Sequence, residues 1–164
     1  MNIMNTRVGS GFDVHRLVKG RPLIIGGVKI EHETGLEGRS DADVLVHAVM
    51  GALLGAAGLP DIGQLFPDND PNFKGADSLA LLRQVNSLLC EKGFAIINID
   101  SVLAAQAPKL SPYKEEMKLN IARALNIEPE RIGIKATTTE HLGFTGRKEG
   151  IAASACALII KKDN

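Results

Sequence analysis

Residues 7–14, RVGSGFDV, alternate apolar with polar or small positions, a period of two that predicts a strand delivering Asp13 and His15 at its end. Two short apolar runs, 23–25 and 28–30, flank Gly26 and Gly27, and a two-residue glycine turn between such runs predicts a hairpin. The pattern then changes. Ser40 with Asp43 three residues on resembles a capping box, and the residues that follow are apolar on nearly every face until Gly58 and Pro60. This predicts a helix buried on several sides. Residues 61–75, DIGQLFPDNDPNFKG, have no period and are rich in Pro, Asp, Asn and Gly, which reads equally as a functional loop or a solvated connector. Asp77 or Ser78 then opens a helix with Leu79, Leu82, Val85, Leu88 and Leu89 on one face, ended by Gly93. A long strand over 94–105 follows. Ser111 as cap with Pro112 at the first helical position predicts a helix to about residue 125, with Asn126 beyond it. Strands over 132–138 and 151–160 complete the chain.

Hairpins mixed with helical crossovers predict an α/β (α+β-like) fold, a single two-layer domain over 1–164 with a mixed sheet and helices on one face. The last strand, IAASACALII, is apolar or small at nearly every position, so neither face is made for water. One face is expected to pack on the chain's own helices and the other on another subunit.

Composition narrows the function. At 164 residues the chain has the size of one domain, and 45% hydrophobic with 23% charged residues is ordinary globular composition. Nineteen basic residues balance nineteen acidic ones without a basic cluster, so nucleic acid is not an expected partner. Cys90 and Cys156 make neither a disulfide framework nor a zinc knuckle, and neither has a His or Asp nearby in sequence to make it a nucleophile. The first seven residues carry no targeting pattern, and the longest apolar stretch, 44–59, is shorter than the roughly 20 residues that span a bilayer. A cytoplasmic protein with no membrane partner is expected.

Asp13 and His15 lie two apart on a strand, so their side chains leave one face and are able to meet on one cation; alone, the pair equally suits a hydrogen-bonded surface pair. His47, one turn beyond Asp43, reads by itself as a core histidine bonded to a carbonyl. Together the three form an O, N, N set that suits zinc with an open fourth position, or manganese, iron or cobalt. ATTTE, residues 136–140, offers hydroxyls to phosphate and a carboxylate to a hard cation, or is simply a Thr-rich strand. GFTGR, 143–147, lacks the spacing of a phosphate-binding P-loop. Lys109 stands near a helix start that attracts anions, though Lys109 and Ser111 also read as surface residue and cap.

GFDVH from Gly11, SDADVLVHA from Ser40, DIGQLFPDNDP from Asp61, AQAPKL from Ala105 and IKATTTEHLGFTGRKEGIA from Ile134, in this order and spacing, resemble the 2-C-methyl-D-erythritol 2,4-cyclodiphosphate synthase family from about residue 7 to 160. The resemblance implies conversion of 4-diphosphocytidyl-2-C-methyl-D-erythritol 2-phosphate to the 2,4-cyclodiphosphate with release of CMP, by a homotrimer with active sites between subunits. It implies zinc on Asp13, His15 and His47, the first two also facing substrate, and magnesium or manganese held with the help of Glu140. Arg39 and Ser40 would face phosphate, and Arg39 and Thr138 would act in catalysis. The methylerythritol part would lie near Asp61, Ile62, Gly63, Phe66, Pro67, Asp68, Asn69 and Asp70. Cytidine and its phosphates would meet Ala105, Gln106, Ala107, Pro108, Lys109, Leu110, Ser111, Ala136, Thr137, Thr138, Thr139 and Glu140, with Phe144 and Arg147 nearby.

Three positions depart from the family. Arg39 stands where a transition-state-stabilising His is usual, Gly51 where some members carry Asp, and Ser154 where some carry a Glu near a cavity on the trimer axis. Arg is a permanent cation and a better phosphate fork than His, but it cannot transfer a proton. Two other activities fit the same residues: a zinc-dependent phosphohydrolase using water, and a non-catalytic trimeric binder of nucleotides or isoprenoid diphosphates.

Overall fold

The computed structural model describes residues 5–67 and 69–162. β1 (Thr6–Lys19) runs well past Val14, because its far end pairs with a strand that the sequence pattern did not mark, β4 (Thr34–Leu36), in the register Leu17↔Leu36. Three residues are too few to display a period. β2 (Leu23–Ile25) and β3 (Val28–Ile30) form the predicted hairpin, with Gly26 and Gly27 both at positive φ.

α1 (Val44–Ala57) is capped by Asp43, not by Ser40. Ala42, at φ 58°, breaks the helical path before residue 43, and the Ser40 hydroxyl instead accepts from the Ala42 amide at 3.1 Å. The Asp43 carboxylate accepts from Val46 N–H in α1 and from Gly26 and Gly27 N–H in the hairpin turn, at 3.1, 2.9 and 2.7 Å. One buried side chain thus joins hairpin to helix. Burial, the largest influence on it, pushes its pKa up to about 6 against the pull of those three amides. Every residue of α1 is buried except His47, Gly51 and Gly55, which recur at i, i+4 and i+8 and so form one stripe.

The loop after α1 has structure of its own: α2 (Ile62–Leu65), capped by Asp61, and a 3₁₀ turn at Pro71–Phe73. α3 (Ser78–Glu91), capped by Asp77, leads into β5 (Phe94–Ala104). Ser111 is not a helix cap. It lies inside a 3₁₀ turn, Ser111–Tyr113, made with Pro112, and α4 (Lys114–Leu125) starts after the turn with no side-chain cap. Asn126 ends α4 in the left-handed conformation, and β6 (Ile132–Thr137), α5 (Gly143–Gly146) and β7 (Gly150–Lys161) follow.

The main sheet has the order β4-β1-β7-β5-β6, antiparallel except for the β5–β6 pair, whose crossover contains α4. α1 packs across β1 and β7 on one face, where Ile151, Ala153, Ala155, Ala157 and Ile159 of β7 are buried. On the other face Ser154 and Cys156 are exposed, and Val8 and Phe12 of β1 are 72% and 71% exposed. A Cβ on Gly9 would sit 2.1 Å from the Ala52 carbonyl oxygen, and one on Gly11 1.9 Å from that of Ala48. Only glycines let α1 lie this close on β1.

Candidate active site

That close contact sets up the chemistry. Asp13 and His15 leave β1 on the face that α1 covers, and His47 projects from the first turns of α1 to meet them. Asp13 Oδ2 lies 2.9 Å from His15 Nε2 and 3.0 Å from His47 Nδ1, and the two ring nitrogens are 3.1 Å apart. A tetrahedral ion with bonds of about 2.0–2.1 Å needs donors spaced by about 3.3 Å, so the three atoms fit one divalent metal. Burial, the largest influence, pushes the Asp13 pKa up. Hydrogen bonds from His15 and His47 and their charges outweigh it and hold the carboxyl at about 2. For His15, burial acts downward but is outweighed by the bond to Asp13 and its charge, so its pKa is raised. The site is an anion with two imidazoles turned towards it, arranged to receive a cation. The outer nitrogens are engaged too: His15 Nδ1 is 2.7 Å from the Glu37 carbonyl and His47 Nε2 is 3.0 Å from Ser78 Oγ.

These residues floor a cavity of about 490 Å³ walled by Arg39, Ser40, Asp61, Ile62, Gly63 and Phe66. Phe12, Gly38, Gly51, Phe73 and Leu81 also line it and were not singled out for this role in the sequence. Gly51 carries the only legible signal, being a helix-weakening residue one turn after His47; a Cβ there would touch nothing nearer than Gly11 Cα at 3.5 Å, so the helix tolerates it and the glycine keeps the floor open. Of the remaining loop residues, Pro67 and Asp70 form a turn, Asp70 N–H bonding Pro67 O at 3.0 Å, with Asn69 between them. Asp68 lies outside the described residues.

A second cavity, about 340 Å³, is lined by Ala105, Gln106, Pro108, Lys109, Leu110, Ser111, Ala136, Thr137 and Thr138. Ala107 precedes Pro108 through a cis peptide bond. Beside it Thr138 Oγ1 donates to Glu140 Oε1 at 2.8 Å, and Glu140 and His141 both sit at positive φ, 52° and 64°. Thr139 turns away from this cavity, donating to the Leu142 carbonyl and sharing a 2.7 Å bond with the Thr145 hydroxyl, so it shapes the start of α5. Arg147 is paired with Glu149, at 2.8 Å from Nε. Phe144, 38% exposed, lies against Gly150.

The two groups do not meet within the chain. Asp13 on β1 and Ala136 on β6 are aligned through Ala153 and Leu103, and three strand spacings of about 4.8 Å put them roughly 14 Å apart.

A profile of the YgbB family matches residues 6–160. A 2-C-methyl-D-erythritol 2,4-cyclodiphosphate synthase of Synechococcus elongatus is 58% identical over 155 residues, covering 94% of this chain and 97% of the relative. Among solved structures, the bifunctional IspDF of Campylobacter jejuni superposes with a TM-score of 0.92 at 49% identity over 96% of this chain, which spans 43% of that longer protein. A CDP complex of IspF from Plasmodium falciparum superposes at 0.85 with 35% identity, covering 97% and 98% of the two chains. Sequence profile, relatives and mixed-sheet architecture agree along nearly the whole chain, and it belongs to the YgbB family, that of the 2-C-methyl-D-erythritol 2,4-cyclodiphosphate synthases.

Proposed function

We infer that this chain is the lyase that converts 4-diphosphocytidyl-2-C-methyl-D-erythritol 2-phosphate to 2-C-methyl-D-erythritol 2,4-cyclodiphosphate and CMP, in the non-mevalonate route to isoprenoid precursors. The observation that carries this reading is the convergence of Asp13, His15 and His47 on the floor of a cavity walled by Arg39, Ser40 and α2, in a chain of this family. Zinc or another transition metal on those three residues, and magnesium or manganese on Glu140, would supply Lewis acidity to the diphosphate.

The reaction forms a bond from a 2-phosphate oxygen to the β-phosphorus as the bond from that phosphorus to the CMP oxygen breaks, and CMP leaves with the electron pair. Such a transfer needs positioning and charge neutralisation, not a side-chain nucleophile. Arg39 and Ser40 face the phosphates from one side and Thr138 from the other. Asp61, Ile62, Gly63 and the 66–70 segment hold the methylerythritol part folded, which lowers the entropic share of the barrier and keeps out the water that would hydrolyse the diphosphate. Gln106, Lys109, Ser111 and their neighbours take the cytidine. The free cysteines, Cys90 and Cys156, suit a reducing cytoplasm.

The chain works as a homotrimer whose sites lie between copies. Two features support this: the metal group and the nucleotide group are roughly 14 Å apart within one chain, and one sheet face leaves Val8, Phe12 and Val14 of β1 exposed. The test is incubation with the cytidyl substrate, following CMP release and phosphorus NMR. A cyclic diphosphate product is expected. An open-chain phosphate would make the protein a hydrolase, and tight nucleotide binding without turnover would make it a binding protein.

A further inference from the structure

A histidine ligates a metal through a nitrogen that carries no proton, so something must hold the proton on the other nitrogen. For His15 this is the Glu37 carbonyl, which is able only to accept; it holds a proton on Nδ1, so that Nε2, facing Asp13, is the nitrogen that gives up its proton to a metal. His47 is placed the other way round, with Nδ1 facing Asp13 and His15 and Nε2 facing Ser78 Oγ at 3.0 Å, Ser40 Oγ being the longer contact at 3.4 Å. A serine hydroxyl accepts or donates, and by itself would leave the choice of tautomer open.

Asp41 removes the choice. Its Oδ1 takes the Ser78 hydroxyl proton, and its Oδ2 accepts the Ser78 backbone N–H at 3.0 Å, so one carboxylate fixes both the rotamer and the proton of a fully buried serine. With its single proton spent on a carboxylate, the Ser78 oxygen is left only to accept, and what it accepts is His47 Nε2–H. Asp41 is itself anchored, its N–H bonding the Ala76 carbonyl at 3.1 Å while Gly75 N–H bonds the Arg39 carbonyl at 2.8 Å. The start of α3 is thereby stitched to the segment that carries Arg39 and Ser40.

We propose that Asp41 and Ser78 are positioning residues for the metal-dependent reaction: Asp41 commits the Ser78 hydroxyl, Ser78 holds the proton on His47 Nε2, and His47 Nδ1 is kept as a ligand. The proposal rests on the metal reading above. Neither residue lines the cavity or belongs to the ligand trio. The pair does for His47 what a backbone carbonyl does for His15, because His47 projects from a helix whose own carbonyls are committed to its ladder.

The test has two readouts besides turnover. In the zinc-loaded protein, proton–nitrogen NMR of the His47 ring is expected to find an Nε2 proton that exchanges slowly with solvent, and in Ser78→Ala and in Asp41→Asn to find that exchange faster or the ring ligating through Nε2. Competition with a chromogenic chelator is expected to show zinc affinity lowered about 10- to 100-fold in Ser78→Ala, with Ser78→Thr restoring much of it. Circular dichroism on each variant separates loss of the proton relay from loss of fold. If folded Ser78→Ala binds zinc as the parent does and keeps the slowly exchanging Nε2 proton, the proposal is overturned while the metal site stands. If the parent itself binds no divalent metal, the metal reading fails and this proposal with it.

Discussion

Arg39 is the residue whose identity changes the chemistry most. Its position on the cavity wall beside Ser40 suits a fixed positive charge facing phosphate, and a guanidinium forks onto two oxygens at once. Arg39→Ala is expected to lower kcat by roughly 10²-fold, the cost of losing one preorganised donor to a charged transition state, whereas Arg39→His keeps much of the rate. Steady-state kinetics on the purified variants decide it: an alanine variant as fast as the parent would place the stabilising charge elsewhere. The metal group gives a second expectation. In metal-free protein the Asp13 carboxylate favours the proton on His15, whose pKa is raised, and a divalent metal must displace that proton. Apparent zinc affinity should therefore be level above the raised His15 value and fall as pH drops through it, by about tenfold per pH unit for each proton displaced. Chelator competition between pH 5 and 8 measures this, and a flat profile would mean that the metal does not bind through His15.

At the scale of elements, the packing of α1 on β1 decides whether the ligands meet. Gly11 lies opposite Ala48, the residue after His47, and its missing side chain is space that the helix backbone occupies. Gly11→Ala would place a methyl 1.9 Å from the Ala48 carbonyl oxygen and 2.6 Å from the Ala52 nitrogen, both backbone atoms, so the whole helix must move. Stability is expected to fall by about 3 kcal/mol, towards the upper end of overpacking costs, and zinc affinity to fall with it because His47 rides on the displaced turn. Gly55→Ala is the control: its Cβ would meet nothing closer than the Ser10 carbonyl oxygen at 3.7 Å, so it should raise stability by about 0.5–1 kcal/mol through helix propensity. Urea midpoints with zinc titration compare the two. Equal and small effects would show that α1 and β1 have slack.

At the scale of the molecule, the uncovered sheet face and the separated cavities make one expectation. Val8, Phe12 and Val14 share one face of β1, with Leu158 of β7 beside Val8, and a single chain leaves all three exposed. In a cyclic trimer with heterologous contacts, Asp13→Ala chains keep an intact nucleotide half and Glu140→Ala chains keep an intact metal half. Each variant alone should be inactive. Coexpressed, they should regain activity at up to about one site per mixed trimer, because a ring holding both chain types has one junction of the right order. Sedimentation establishes the assembly, and mixed trimers without activity would place the whole site within a single chain.

Periodicity, glycine turns and motif order made the strands, the hairpin, the three long helices, the metal trio and the family legible in the sequence, because each is written in neighbouring residues or in a fixed series of them. Ser40 and Ser111 misled as caps because capping depends on backbone angles: a left-handed Ala42 hands the role to Asp43, and a 3₁₀ turn absorbs Ser111. β4 was invisible because three residues show no period and, unlike β2 and β3, it has no glycine turn joining it to its partner. Ser78 read as a helix start and Asp41 stood only inside the stretch from Ser40; that they meet, 37 residues apart, behind His47 follows from how α3 docks on the 39–41 segment. The residue types needed for the chemistry are local properties of the chain. Which histidine nitrogen faces Asp13, how near α1 comes to β1 and which face of the sheet stays open depend on contacts between distant segments, and only the packed structure decides them.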